Sequence, residues 1–91
     1  MQVVRADERS RYELYDDDEL LSFALFSQAD GVVTVPHVET RIEHRGNGFS
    51  SVLMDGVVGD LRANGLRIRP ICWVAREHVQ ALPDADQLIA D

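Results

Sequence analysis

The chain has no lysine, one cysteine, and no apolar run approaching the ~20 residues of a membrane-spanning helix. The lone thiol, Cys72, cannot form an internal disulfide, and it cannot assemble a zinc site by itself. Met1 is not followed by a basic-then-apolar signal pattern, so the expected location is cytoplasmic, with no membrane contact. Linkers, internal repeats and low-complexity segments are also missing. The expectation is a single domain over residues 1–91. A chain of this size buries roughly 60–65% of its unfolded surface, which allows one thin core and one ligand cleft. The missing lysine carries no functional reading.

Positive charge is scarce as well. The net charge of −7 argues against nucleic acid as the main partner. Its distribution is uneven. Residues 1–40 hold nine acids and three arginines, a net of −6. Residues 41–76 hold six arginines against Glu43, Asp55 and Asp60, a net of +3, and residues 77–91 return to −4. An anion bound in the middle third would feel mainly the local arginines, because salt screens distant charges over about 8 Å.

"RSRYELY" (9–15) alternates Tyr12 and Leu14 with polar neighbours and predicts a half-buried strand, with Asp16–Asp18 as the turn after it. "ELLSFALFSQ" (19–28) fits both helical spacing and alternation. The following Asp30-Gly31, a strong hairpin dipeptide, favours a strand paired with the next one. "GVVTVPHVE" (31–39) is β-branched and predicts a strand, with Pro36 restricting it to an edge or a bulge. Phe49, Val52, Leu53, Val57 and Leu61 recur at helical spacing up to Asn64-Gly65. Gly56 and Gly59 within that helix imply a backbone packed tightly on a sheet. "LRIRPICWVA" (66–75) reads as a strand, "REHVQAL" (76–82) as a short helix stopped by Pro83, and the last residues as a turn of helix or a docked tail. The expected fold class is α/β: a small domain with a mixed antiparallel and parallel sheet in the order β-β-β-α-β-α.

Between the third strand and the helix lies "EHRGNGFSS" (43–51), where Gly46 and Gly48 follow Arg45. A glycine turn that opens a helix gathers unpaired amide N–H groups at the positive end of the helix dipole. That arrangement cradles phosphate, and Arg45 can add a charge-assisted bond. The spacing is neither a P-loop, since no Gly-Lys-Ser/Thr follows, nor the dinucleotide fingerprint, since the third glycine and distal acid are missing. From the residues alone, the segment reads either as a phosphate site or as a tight turn.

Arg45-Gly46-Asn47-Gly48-Phe49-Ser50 resembles the Arg/Gln-x-x-Gly-x-Gly/Ala pyrophosphate loop of the GCN5-related N-acetyltransferases, with Ser50 at the last position. The resemblance continues in His37 and Glu39, with Val38 in place of the usual threonine, in Pro70-Ile71-Cys72, and in Leu82-Pro83 where His-Pro is usual, followed by Leu88, over roughly residues 11–89. These are positions of the minimal branch of that superfamily, built of chains of about ninety to a hundred residues. The resemblance implies a GCN5-like fold and acetyl-CoA as cofactor. It implies that Gly46, Asn47, Gly48, Phe49, Ser50 and Ser51 hold the pyrophosphate beside Arg45. Arg41, ahead of the loop, reads from the residues as a second phosphate ligand. It also implies that the cofactor arm lies between the strand of His37 and the strand of Cys72.

The implied activity is transfer of an acetyl group to an unidentified amine, on a small molecule or a protein. The alternatives are a non-catalytic acyl-CoA binding module and an interaction domain with a vestigial loop. Direct attack on a thioester needs a deprotonated amine and a proton for the departing thiolate. His37 and Glu39 share one strand face next to the loop, and read as a general base or as a surface ion pair. Cys72 reads as proton donor, acyl acceptor, substrate contact or core side chain. His44 and His78 read as surface residues, Trp73 as core or cleft wall, and no histidines have metal-ligand spacing. An open cleft in so small a domain adds a protein partner or a weak homo-oligomer to the expectations.

Overall fold

Three short connections, at residues 7–10, 17–18 and 30–31, fold the first half of the chain into a meander. In the computed structural model, which describes Met1 to Ala90, the strands are β1 (Gln2–Ala6), β2 (Arg11–Asp16), β3 (Glu19–Ala29) and β4 (Val32–Thr40), each antiparallel to the one before it. Asp30 and Gly31 both take positive φ, 54° and 78°, as a two-residue hairpin turn requires. After β4 the chain passes through the glycine turn into α1 (Phe49–Ala63) and returns as β5 (Arg67–Pro70), parallel to β4. It ends in α2 (Trp73–Gln80) and α3 (Ala85–Leu88). The five strands lie in chain order in one mixed sheet.

The α/β class and the mixed sheet are as expected, but the element order needs two corrections. The first strand, β1, precedes the predicted series, so four strands and not three come before the first helix. The segment 66–75 is not one strand: β5 stops at Pro70 and α2 begins at Trp73. Cys72 is therefore the N-cap residue of a helix. The tail docks as expected, with the Ala90 amide on the Ile68 carbonyl at 2.7 Å.

The core lies between the sheet and the helices. Tyr12, Leu14, Ala24, Val33 and Val35 face Leu53, Val57, Leu61, Ala75 and Val79, all buried. Gly56 allows the closest approach of α1 to the sheet: a Cβ there would stand 2.5 Å from Cγ2 of Val3. Gly59 has open space instead and does not share that packing role.

Pro36 lies at a bulge, where the β3–β4 register slips between Leu25 and Ser27. Pairing of β4 with β5 ends at Val35–Pro70, one residue earlier. From Pro36 to Thr40, β4 therefore continues with β3 on one side and no parallel neighbour on the other. This opening positions the site.

Candidate functional site

The opening beside β4 is a cleft of about 580 Å³. One wall is the free run of β4, from His37 to Thr40; the floor and far wall are the glycine turn, the start of α1, and the start of α2 at Trp73 and Val74. In an antiparallel ladder, alternate residues turn their N–H and C=O towards the same neighbour. The Arg41 amide bonds the Leu21 carbonyl at 2.9 Å, so Arg41, Glu39 and His37 serve β3, while Val38 and Thr40 turn their backbone groups to the open side.

Gly46 and Gly48 have φ of 85° and 74°, and nothing stands within 4 Å of a Cβ built on either. Gly48 is the N-cap of α1 and supplies no side-chain cap. The first intrahelical bond runs from Val52 N–H to Gly48 O at 3.3 Å, which leaves the amides of Phe49, Ser50 and Ser51 at the helix start without intrahelical partners. Arg45 Nε donates to the Thr40 carbonyl at 3.2 Å, which ties the guanidinium to the β4 wall. Asn47 does not line the cleft. Its Nδ2 donates to the His44 carbonyl at 3.0 Å and braces the turn from outside. His44 Nε2 lies 2.7 Å from Glu19 Oε2, and its ring packs edge-on to Phe49, so the turn is anchored to the start of β3.

His37 Nε2 and Glu39 Oε1 are 3.1 Å apart. In register they oppose Leu25 and Phe23, on the sheet face away from buried Val38. Glu39 and Arg45 also border a groove of about 330 Å³ on that outer face, with Phe23, Arg41 and Ile42. Arg41 belongs to this outer groove and not to the cleft, and lies 3.6 Å from Glu43. The Glu43 carboxyl is held below its ordinary range by its own backbone amide, against slight burial, with Arg41 adding to the shift.

On the other side, Ser50, Trp73 and Val74 connect the cleft to a groove of about 260 Å³ between α1 and α2, which Ser51 and His78 also line. Cys72 is half-buried against the core at the end of β5, while its neighbours Trp73 and Val74 form the cleft wall.

The structure thus gathers His37, Glu39, Arg45, Gly46, Gly48, Phe49 and Ser50 around one cleft. Ser51 lies in the adjoining groove, Arg41 on the outer face, Asn47 behind the turn and Cys72 at the edge. Sequence reasoning missed Val38 and Thr40, whose signal was their alternation with His37 and Glu39. Behind this β4 wall lies Ser22, a buried serine on β3 with no motif to mark it, whose hydroxyl bonds the Glu39 carbonyl. Among the described residues no helix is long and apolar enough to cross a membrane.

Residues 11–88 match the family model described as GCN5-related N-acetyl-transferase. No curated protein matches the chain. With 78 of its 91 residues inside that family model, the chain belongs to the GCN5-related N-acetyltransferase family.

Proposed function

With that membership as the premise, we propose that the protein is an acetyl-CoA-dependent N-acetyltransferase acting on an amine. The observation that carries the reading is the coincidence of two features in one cleft: an arginine-flanked turn with two positive-φ glycines at a helix start, and a strand edge left open beside it.

The donor set fits coenzyme A. The amides of Gly46 to Ser51, at the positive end of α1, suit a pyrophosphate, and Arg45 adds a fixed cation. The outward backbone groups of Val38 suit an extended, amide-bearing arm that lies along β4 as a strand would. The groove past Trp73 offers room for the nucleotide end. When bound, the cofactor supplies an activated acetyl thioester.

The chain's own residues then have distinct tasks. Glu39 and His37, paired on the outer face, take the proton that an incoming ammonium must lose. The outer groove beside Phe23 and Ile42 is the route by which an amine reaches them. Half-buried Cys72 stands where the open strand edge ends, near the reacting end of the arm. Trp73 and Val74 form the wall opposite β4, against which a bound arm lies.

An amide-resolved NMR titration with acetyl-CoA tests the reading. The largest shifts are expected from Gly46 to Ser51 and at Val38. Arg45→Ala should weaken binding by about 1.5–3 kcal/mol, the range for a hydrogen bond to a charged group. Absence of binding at millimolar ligand, or shifts clustered away from the cleft, would overturn it.

A further inference from the structure

Ser22 is fully buried, yet its hydroxyl is bonded twice, and both bonds reach the cleft wall from inside the core. Ser22 Oγ donates to the Glu39 carbonyl at 2.8 Å and lies 3.1 Å from Thr40 Oγ1. A serine hydroxyl has one proton. Glu39 O can only accept, so that proton is committed to it. The bond between the two hydroxyls therefore has a fixed direction: Thr40 donates and Ser22 accepts. Thr40 is half-buried and lines the cleft. Its proton points into the core, so its oxygen can offer a ligand only lone pairs. Its carbonyl is already occupied by Arg45 Nε.

We propose that Thr40 is a ligand-binding residue that accepts a hydrogen bond from an amide N–H of the extended arm in the cleft, and that Ser22 is the positioning residue that holds it as an acceptor. The inference rests on the coenzyme A reading above and adds which side chain recognises the arm. The arm of coenzyme A carries two secondary amides, each with one N–H donor. A wall position that can only accept favours such a donor and leaves an ester or ether oxygen at the same place facing lone pairs. Without the Ser22 hydroxyl, the Thr40 proton is free to rotate towards the cleft, and that preference is lost. No contact between Ser22 and ligand is involved, because Ser22 lies behind the wall.

The test is calorimetric titration of coenzyme A, and separately of 3′,5′-ADP, which keeps the 3′-phosphate and the first 5′-phosphate but has no arm. Thr40→Val keeps the shape and removes the oxygen. It should weaken coenzyme A by roughly 3- to 10-fold, the net worth of one neutral hydrogen bond, and leave 3′,5′-ADP unchanged. Thr40→Ser should bind coenzyme A like wild type. Ser22→Ala should also weaken coenzyme A alone, and the double variant should be no weaker than Thr40→Val, since Ser22 acts through Thr40. If Ser22→Ala does not fold, the Thr40→Val and Thr40→Ser pair decides.

An equal loss for 3′,5′-ADP would mean that the substitutions disturb the Arg45 turn, and would overturn the assignment. Wild-type affinity in Thr40→Val would overturn it while leaving the coenzyme reading in place. No coenzyme A binding by the wild type would overturn both.

Discussion

The Val35 carbonyl accepts the Cys72 amide at 3.1 Å, and the same oxygen takes the Ile71 amide at 3.1 Å. This shared acceptor is where β5 turns away from β4. It holds Cys72 by its backbone at the end of the cleft, and α2 starts one residue later. If the thiol serves the transferred group, Cys72→Ala should lower kcat while the dissociation constant for coenzyme A stays at the wild-type value. Loss of a half-buried thiol should cost about 1 kcal/mol of stability in either case. A melting curve, a binding curve and an acetyl-transfer assay on the same variant separate the two roles. Reduced stability with undiminished transfer would return Cys72 to the core.

The two internal glycines of α1 should respond to alanine with opposite signs. Alanine favours a helix over glycine by up to about 1 kcal/mol, and at Gly59 nothing opposes the gain, so Gly59→Ala should stabilise by that order. At Gly56 the new methyl would meet Val3 Cβ at 2.6 Å as well as its Cγ2. Overpacking of that kind costs about 1–3 kcal/mol, so Gly56→Ala should destabilise despite its better propensity. Val3→Ala in the Gly56→Ala background should restore part of the loss. Urea denaturation of the set provides the check.

Glu13 predicts an acid-sensitive fold. Its carboxylate is fully buried and accepts bonds from Arg9 at 2.6 and 2.9 Å, from Arg11, and from Tyr15 at 3.0 Å. The Arg9 bonds are the largest influence. They outweigh burial, and with Arg11 and Tyr15 they hold the carboxyl down to about 2, from an ordinary 4.5. The unfolded chain therefore takes up the proton first. The contribution is complete above the unfolded value and drains away as pH falls from about 4.5 towards about 2. The urea midpoint of the wild type should fall between pH ~5 and pH ~3, and Glu13→Gln should flatten that slope. At neutral pH the substitution should cost about 2 kcal/mol, less than for a fully buried pair, because both arginines reach water.

Trp73 is the only tryptophan in the chain, is 68% exposed, and borders both the cleft and the groove beside α2. Its emission should move to shorter wavelength on titration with coenzyme A, as solvent is displaced from the indole. Arg45→Ala should shift the midpoint of that titration to higher ligand concentration. Calorimetric binding with unaltered emission would remove Trp73 from the path of the ligand.

Much of this was readable from residue order, for physical reasons that differ by segment. The hairpin of β3 and β4 was legible because Asp30-Gly31 favours a positive-φ turn and the flanking residues alternate. Helix α1 was legible from five apolar positions at helical spacing. Strand β1 was not: Val3 and Val4 are adjacent, so "QVVRA" does not alternate, and its conformation comes from pairing with β2. The break after Pro70 was hidden because Cys72 and Val74 extend the alternation of Leu66 and Ile68, while Ala75 and Val79 carry the helical pattern instead. The capture of two amides by Val35, a contact distant in sequence, decides between the two patterns. In the site, the glycine turn was visible through its composition. The acceptor polarity of Thr40 was not, because it depends on which way a buried hydroxyl on another strand points.

The parting of β4 and β5 also has a consequence for solubility. A strand that loses its neighbour part-way presents an edge inside the molecule, and exposed edges recruit other chains. Here the lip of the gap is Pro36, which has no N–H to offer, on a bulge that bends the strand, with α2 standing across the opening. A second polypeptide strand, with side chains on both faces, would meet Trp73 and Val74 of α2 there. A slender unbranched molecule carries no such side chains. The same stretch of backbone can thus be kept available to a small ligand and closed to self-association, and ligand should raise the temperature at which the protein aggregates along with that at which it melts.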